Sequence, residues 1–221
     1  MTTSVKWSYS SLALYKQCPK KYFHLRVAKD FKEPETEALS YGTKVHEAAE
    51  FYIRDGKPIP PEFSYMQGLL DRLKNLPGEK LCEHKMGLSR DLSPVGFFDK
   101  DVWWRGIADL VVLDNDRAFL VDYKTGKSSR YADTKQLEIL SLALFKHFPQ
   151  LKKVKAGLLF VVAQDFVKVD YDNQPQAWVK WLDDTGQMEA SYEADVWNAK
   201  PNFTCRNYCA VTTCPHNGKL S

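Results

Sequence analysis

The sequence predicts an α/β domain, and three observations predict it. Apolar residues recur at helical spacing in the first third of the chain and again near its end. The middle holds runs rich in β-branched and aromatic residues, separated by turn signals. After them a helical stretch, an apolar strand with a short partner and a last helix alternate, which places helices against a mixed, mainly antiparallel sheet. With 221 residues, 44% of them hydrophobic and 27% charged, the chain is long enough for one full core. The same figures exclude disordered and low-complexity classes. A net charge of +3 neither demands nor excludes a nucleic-acid partner, and five cysteines cannot all pair as disulfides.

The elements follow in order. Residues 8–27 read as a helix capped by Ser8 or Ser10, with Leu12, Leu14, Tyr15, Cys18, Tyr22 and Leu25 as its apolar stripe. Pro19 predicts a break near Cys18. A second helix spans 41–55 and stops at Gly56; a third spans 62–76 and stops at Pro77-Gly78. Strands are expected at 80–88, 95–99, 102–113 and 118–124, with Asp114-Asn115-Asp116 as a hairpin turn. Residues 133–148 return to helical spacing, 154–163 read as a buried strand with a partner near 165–171, and 174–194 as the last helix. The organisation expected is one domain over 1–221: a helical front end (1–78), a core (79–171), then a helix and a cysteine-rich tail (172–221).

The most informative stretch is Gly106-Ile107-Ala108-Asp109, followed after twelve residues by Asp122-Tyr123-Lys124-Thr125-Gly126. Strand alternation puts Asp122 and Lys124 on one face and Tyr123 on the other. The hairpin brings Asp109 near Asp122. Two carboxylates and a lysine suit metal-assisted phosphodiester hydrolysis. Carboxylate oxygens favour Mg²⁺ or Mn²⁺, which polarises the phosphoryl oxygen and activates water, while Lys124 offsets negative charge. Alone, Asp-x-Lys is more often a surface ion pair on an edge hairpin. Tyr41-Gly42-Thr43-Lys44-Val45-His46 opens the second helix, and Lys135-Gln136-Leu137 opens the helix after the hairpin. A zinc-peptidase reading of His46-Glu47 fails, because position 50 is Glu50 and not histidine.

The ordered set Gly-x-x-x-His, Gly-x-x-Asp, Asp-x-Lys-Thr-Gly and Gln resembles the RecB-type nucleases of the PD-(D/E)XK superfamily, from Ser8 to Cys214. The resemblance implies a restriction-endonuclease-like core. It implies His46, Asp109, Asp122 and the carbonyl of Tyr123 as metal ligands. It also implies Lys124 as the catalytic lysine and Gln136 as the start of a Gln-x-x-x-Tyr motif. Here the tyrosine position is Leu140, so another aromatic such as Tyr131 is expected to serve. Glu83, in Leu81-Cys82-Glu83-His84-Lys85, matches a strand glutamate often found in the family and is a candidate to support the metal ligands or to hold a second metal.

Cys205-x3-Cys209-x4-Cys214 is a compact, metal-like spacing. In the iron–sulfur branch of these nucleases, such as the CRISPR-associated adaptation nucleases and AddB-type subunits, an N-terminal cysteine joins three C-terminal ones around a 4Fe–4S cluster. The matching residues are Cys18, Cys205, Cys209 and Cys214, although the branch's usual spacing, closer to C-x2-C-x5-C, has its middle cysteine one residue earlier. A zinc ion on Cys205, Cys209, Cys214 and His216 is the alternative. Cys82 is left as a buried apolar residue.

Lys20, Lys21, Tyr22, Lys127, Arg130 and Tyr131 are the leading candidates for DNA contact, with Phe23, Tyr41 and Trp104 as further stacking candidates. The layout also resembles small RecB-type exonucleases of tailed phages. The expected function is thus a Mg²⁺- or Mn²⁺-dependent deoxyribonuclease. It is expected to be an exonuclease preferring single strands or ends, in phage or bacterial replication, recombination or degradation. The rival is an inactive DNA-end-binding module partnering a helicase or recombinase. No apolar run is long enough for a membrane span, and the first residues lack the order of a secretory signal, so a cytoplasmic location is expected.

Overall fold

The computed structural model describes residues 5–218. They pack as two compact units: one from the chain's two ends, up to Glu35 and from Ala177 onward, the other spanning Thr36–Gln176.

The unit spanning Thr36–Gln176 is a mixed sheet flanked by helices. Among the described residues it has six strands in the order β2-β1-β3-β4-β5-β6. They are β1 (Glu79–Leu88), β2 (Pro94–Val95), β3 (Trp104–Asp114), β4 (Arg117–Lys124), β5 (Lys153–Phe160) and β6 (Asp165–Asp172). All neighbours are antiparallel except β4 and β5. That parallel pair requires a crossover, and α5 (Lys135–His147) supplies it. On one face lie α3 (Glu37–Asp55) and α4 (Gln67–Lys74), where Val45, Ala49, Ile53, Met66 and Leu70 pack on Leu110, Val112, Val121 and Tyr123.

Local chemistry sets the boundaries. Thr36 caps α3 by accepting from the Leu39 N–H, four residues earlier than the expected start, and Gly56 ends it at φ 69°. Pro60-Pro61 turns the start of the expected third helix into a 3-10 turn, Pro61–Met66. The hairpin closes on Asp114↔Arg117, with Asn115 alone of the two loop residues left-handed. The strand expected at 95–99 is only Pro94–Val95, because Asp99 N–H turns back to the Gly96 carbonyl (2.9 Å). The strand expected to reach 163 ends at Phe160, before a turn in which Gln164 is left-handed.

One residue breaks the period-two pattern of β1. Glu83 has φ 48°, a left-handed conformation costly for a residue with a Cβ. On either side of it the register with β3 is unchanged, Cys82↔Leu110 and His84↔Ala108. Yet Cys82 packs on the α3 side, whereas His84 stacks on Phe148, just beyond α5 (ring centroids 5.8 Å apart). The left-handed residue therefore switches which face the even-numbered side chains occupy, and it does so opposite Asp109.

In the unit built from the chain ends, the first expected helix is divided. α1 (Tyr9–Gln17) ends at extended Cys18, and Pro19 opens α2 (Pro19–Tyr22), followed by a π turn over Phe23–Val27. α6 (Trp178–Ala194) packs on α1 through Trp7–Trp181 stacking (6.3 Å), a Tyr15 Oη–Gln187 carbonyl hydrogen bond (2.8 Å) and a Lys16–Asp184 ion pair (2.7 Å).

Burial, and then the charge of His147, hold down the pKa of His84, and His147 at the end of α5 is lowered by its own burial, against a hydrogen bond from Nε2–H to the Gly87 carbonyl (2.9 Å). Its folded pKa lies below its unfolded value of 6.5, so the folded state binds fewer protons. Its stability contribution is full above pH 6.5 and is lost as pH falls through the folded pKa. Urea melts at descending pH are expected to show this loss below about pH 6.5. His147→Gln, which keeps a donor for Gly87, should flatten that part of the profile.

Candidate active site

α3 turns His46 toward the end of the β3–β4 ladder, where the pairing stops at Leu110↔Val121. Continuing the count would set Asp109 opposite Asp122. Instead the strands part, and Asp109 Oδ2 accepts the Tyr123 N–H at 2.7 Å. The same oxygen lies 3.3 Å from His46 Nδ1, and His46 Nε2 lies 3.0 Å from the Tyr123 carbonyl. Glu83 completes the group: one donor atom each from His46, Glu83 and Asp109 lie within 4.8 Å of one another. The left-handed turn at Glu83 is the local distortion that accompanies this convergence.

Asp122 and Lys124 lie on the face of α5, as alternation requires, and Tyr123 is buried against α3. Lys124 Nζ lies 2.5 Å from Asp122 Oδ2 and donates to Gln136 Oε1 at 3.3 Å. Asp122 is buried, and its Oδ2 has no aligned hydrogen bond. Burial, and then the charge of Asp109, push its pKa up to about 6, against the pull of Lys124. Burial also raises Glu83, with Asp109 and Glu50 adding to it. For His46 burial works downward, but the hydrogen bond to Asp109 and the charges of Asp109 and Asp122 outweigh it, so its pKa is raised.

Negative charge is therefore in excess here, and the buried Asp122 carboxylate has Lys124 as its close cation. Imidazole, carboxylates and a backbone carbonyl are the donors a hard or borderline divalent cation takes. These residues fit such an ion, and its charge would relieve each of the upward carboxylate shifts. The cleft above them is open, about 610 Å³, and its walls include Gly42, Glu50, Ile107 and Thr125. Of these, Glu50 escaped sequence reasoning as a site residue. Its signal is its spacing, one helical turn after His46.

Leu140, at the position of the tyrosine in the resembling family, is buried; a Cβ on Gly106 would meet its Cδ2 at 2.9 Å. It presents no aromatic edge. Tyr131 is 86% exposed, with the Arg130 guanidinium 5.4 Å from its ring centroid, and Lys127 is exposed. Lys20 is half-buried. Two expected DNA contacts are instead internal. Lys21 is buried with its ammonium 2.7 Å from Glu33, and Tyr22 is buried with its hydroxyl 2.9 Å from that of Tyr192. Trp104 is likewise fully buried, so neither it nor Tyr22 offers a face to a base.

In the unit formed by the chain ends, Cys18, Cys205, Cys209 and Cys214 line one small pocket of about 20 Å³, together with His216. Cys18 Sγ accepts N–H bonds from Lys21 and Lys200, and Cys205 Sγ accepts one from Asn202, each at 3.4 Å. Asn217 ties the tail by donating to the carbonyls of Cys209 (3.1 Å) and Val211 (2.9 Å). Cys82 stands apart, packed against the sheet core, its thiol pushed up to about 11 by burial and then by Glu50.

Among the described residues no helix is long and apolar enough to cross a membrane. No curated protein matches the chain. Among solved structures it is similar to the crystal structure of SSO0001, at 13% identity and a TM-score of 0.48, covering 97% of this chain and 88% of that one. The family model described as "PD-(D/E)XK nuclease superfamily" matches residues 6–215. With the match running over nearly its whole length, the chain belongs to the PD-(D/E)XK nuclease superfamily and is, by that membership, a metal-dependent nuclease.

Proposed function

We propose that this protein is a deoxyribonuclease that takes Mg²⁺ or Mn²⁺ on His46, Glu83, Asp109 and Asp122, with the Tyr123 carbonyl as a further ligand. It acts as an exonuclease on single strands or DNA ends, in phage or bacterial DNA replication, recombination or degradation. The observation that carries the reading is the convergence of His46, Glu83 and Asp109 within 4.8 Å, beside the buried carboxylate of Asp122. A divalent cation held there supplies charge stabilisation for the phosphoryl oxygens and a water of lowered pKa. Lys124, held between Asp122 and Gln136, orients the attacking water and offsets charge growing on the phosphate. Gln136 fixes the ammonium's position. Lys127, Arg130 and Tyr131 are proposed to contact the DNA.

The second part of the proposal is that Cys18, Cys205, Cys209 and Cys214 hold a 4Fe–4S cluster of the RecB-type branch in a structural role. Their shared pocket and the three N–H···S bonds support this, since such bonds stabilise bound thiolate. A tetrahedral zinc, with sulfur at about 2.3 Å, needs donors within about 4 Å of one another. Among the described residues no three of these cysteines and His216 bring donors within 4.8 Å.

End-labelled single-stranded DNA should be degraded with Mn²⁺ or Mg²⁺ and left intact in EDTA. Lys124→Ala should lower kcat by about 100-fold or more, the scale of removing one electrostatic contact to the transition state. Equal cleavage by this variant, or no cation-dependent products from the parent, would refute the reading.

Glu83→Gly should lose most activity without losing stability. A glycine inside a strand ordinarily costs about 0.5–1 kcal/mol, but here it also relieves a left-handed φ and one crowded carboxylate. Thermal melts and initial rates on the same preparation measure both.

Anaerobically purified protein should be brown and contain iron and acid-labile sulfide in equal amounts; Cys18→Ser should bleach it. Colourless, zinc-loaded protein would refute the cluster.

A further inference from the structure

Beyond the metal group, one strip of the sheet combines cations and aromatic faces that the reaction so far leaves unused. Asp109 and Ile107 both border the cleft beneath His46. Alternation along β3 then puts Arg105 on the same face, about 14 Å from Asp109 along the strand. On the neighbouring strand Lys85 pairs with Ile107, and Gly87 pairs with Arg105. Lys85 and Arg105 are both exposed.

Over them lies the turn that replaces the expected strand at 95–99. Its Phe97 and Phe98 meet edge to face, 4.9 Å apart. The Arg105 guanidinium lies 5.3 Å from the Phe97 centroid, and Lys85 Nζ lies 5.7 Å from that of Phe98. Phe98 is 79% exposed. A phenylalanine so open to water at the tip of a turn gains little from folding. In the same turn Asp99 accepts the Asp101 N–H at 2.9 Å, which fixes the loop below the two rings.

We infer that Arg105, Lys85, Phe97 and Phe98 form a platform for unpaired nucleic acid leading to the metal group. This deepens the proposed nuclease reading and rests on it for the direction of the strand. The two cations face phosphates, and Phe98 stacks on a base. Only an unpaired base exposes its face to a ring, so the platform selects single strands over duplex. The charge complementarity, and the pairing of Lys85 with the cleft residue Ile107, favour nucleic acid over a protein partner.

The test is fluorescence anisotropy of a labelled single-stranded oligonucleotide, and of a blunt duplex, with the full chain in the absence of divalent cation. Phe98→Ala should weaken single-strand binding by about 5- to 150-fold, the range for one stacked base, and leave its salt slope unchanged. Arg105→Gln should reduce the salt slope by about 0.7. Duplex binding should change less in both. Circular dichroism of the variants checks folding; both positions are at the surface.

Single-strand binding unchanged in both variants, equal loss for duplex, or no single-strand binding by the parent each overturn the platform. Cation-dependent cleavage by the parent is measured in parallel. Cleavage with unchanged binding in the variants refutes the platform alone. Absence of cleavage with Phe98-dependent binding refutes the nuclease reading and leaves the platform.

Discussion

Glu83, Asp109 and Asp122 are crowded around the end of one strand pair, and this concentration of negative charge is what the surrounding structure answers to. Two unit charges about 5 Å apart at an effective dielectric of about 20 repel by about 3 kcal/mol. Lys124 and His46 offset part of that repulsion, and burial denies the carboxylates the help of water. A fold gains nothing from such crowding unless a cation enters. The upward displacement of Asp122 and Glu83 and the upward displacement of His46 are two expressions of the same imbalance: acids held toward neutrality, a base held toward its cation.

Backbone geometry makes the crowding possible. Regular strands would keep Glu83 and Asp109 in a ladder and their neighbours in strict alternation. The left-handed Glu83 breaks that pattern, sending Cys82 to the α3 side and His84 to Phe148. On the next pair, β3 and β4 part after Leu110↔Val121, so Asp109 reaches the Tyr123 N–H instead of facing Asp122 squarely. Groups from both faces of the sheet thereby meet at the end of one central strand pair: His46 from the α3 side, Lys124 and Gln136 from the α5 side.

Much of this is legible in the sequence. The period of two in Asp122-Tyr123-Lys124 assigns those side chains to faces, and the hairpin turn sets Asp109 near them; both are local rules with few exceptions. Gly56 and Pro19 announced their boundaries for equally local reasons. What was not legible depends on tertiary context. Nothing in Leu81-Cys82-Glu83-His84-Lys85 marks a left-handed residue, because the cause is the opposing strand. Lys21 and Tyr22 read as a basic-aromatic patch, yet Glu33 and Tyr192 bury them. Phe97 and Phe98 read as strand residues, and only the turn in which the strand stops makes a surface of them.

The cysteine pocket is tied to the same question of what holds the chain together. The N-terminal and C-terminal arms already grip each other without metal, through Trp7–Trp181, Tyr15–Gln187, Lys16–Asp184 and Tyr22–Tyr192. Loop closure over the intervening residues is therefore met by packing, and its cost grows only by about 0.6 kcal/mol per doubling of length. The tail itself is different. Its buried cluster is Cys209, Val211 and Cys214, with Phe31 and Ala199 packed against it. So small an apolar cluster supports little folded structure by itself, and two of its three buried members are the proposed ligands. Ligation at the pocket is thus worth most to residues near 199–217, and its loss should loosen that segment before it loosens the arms.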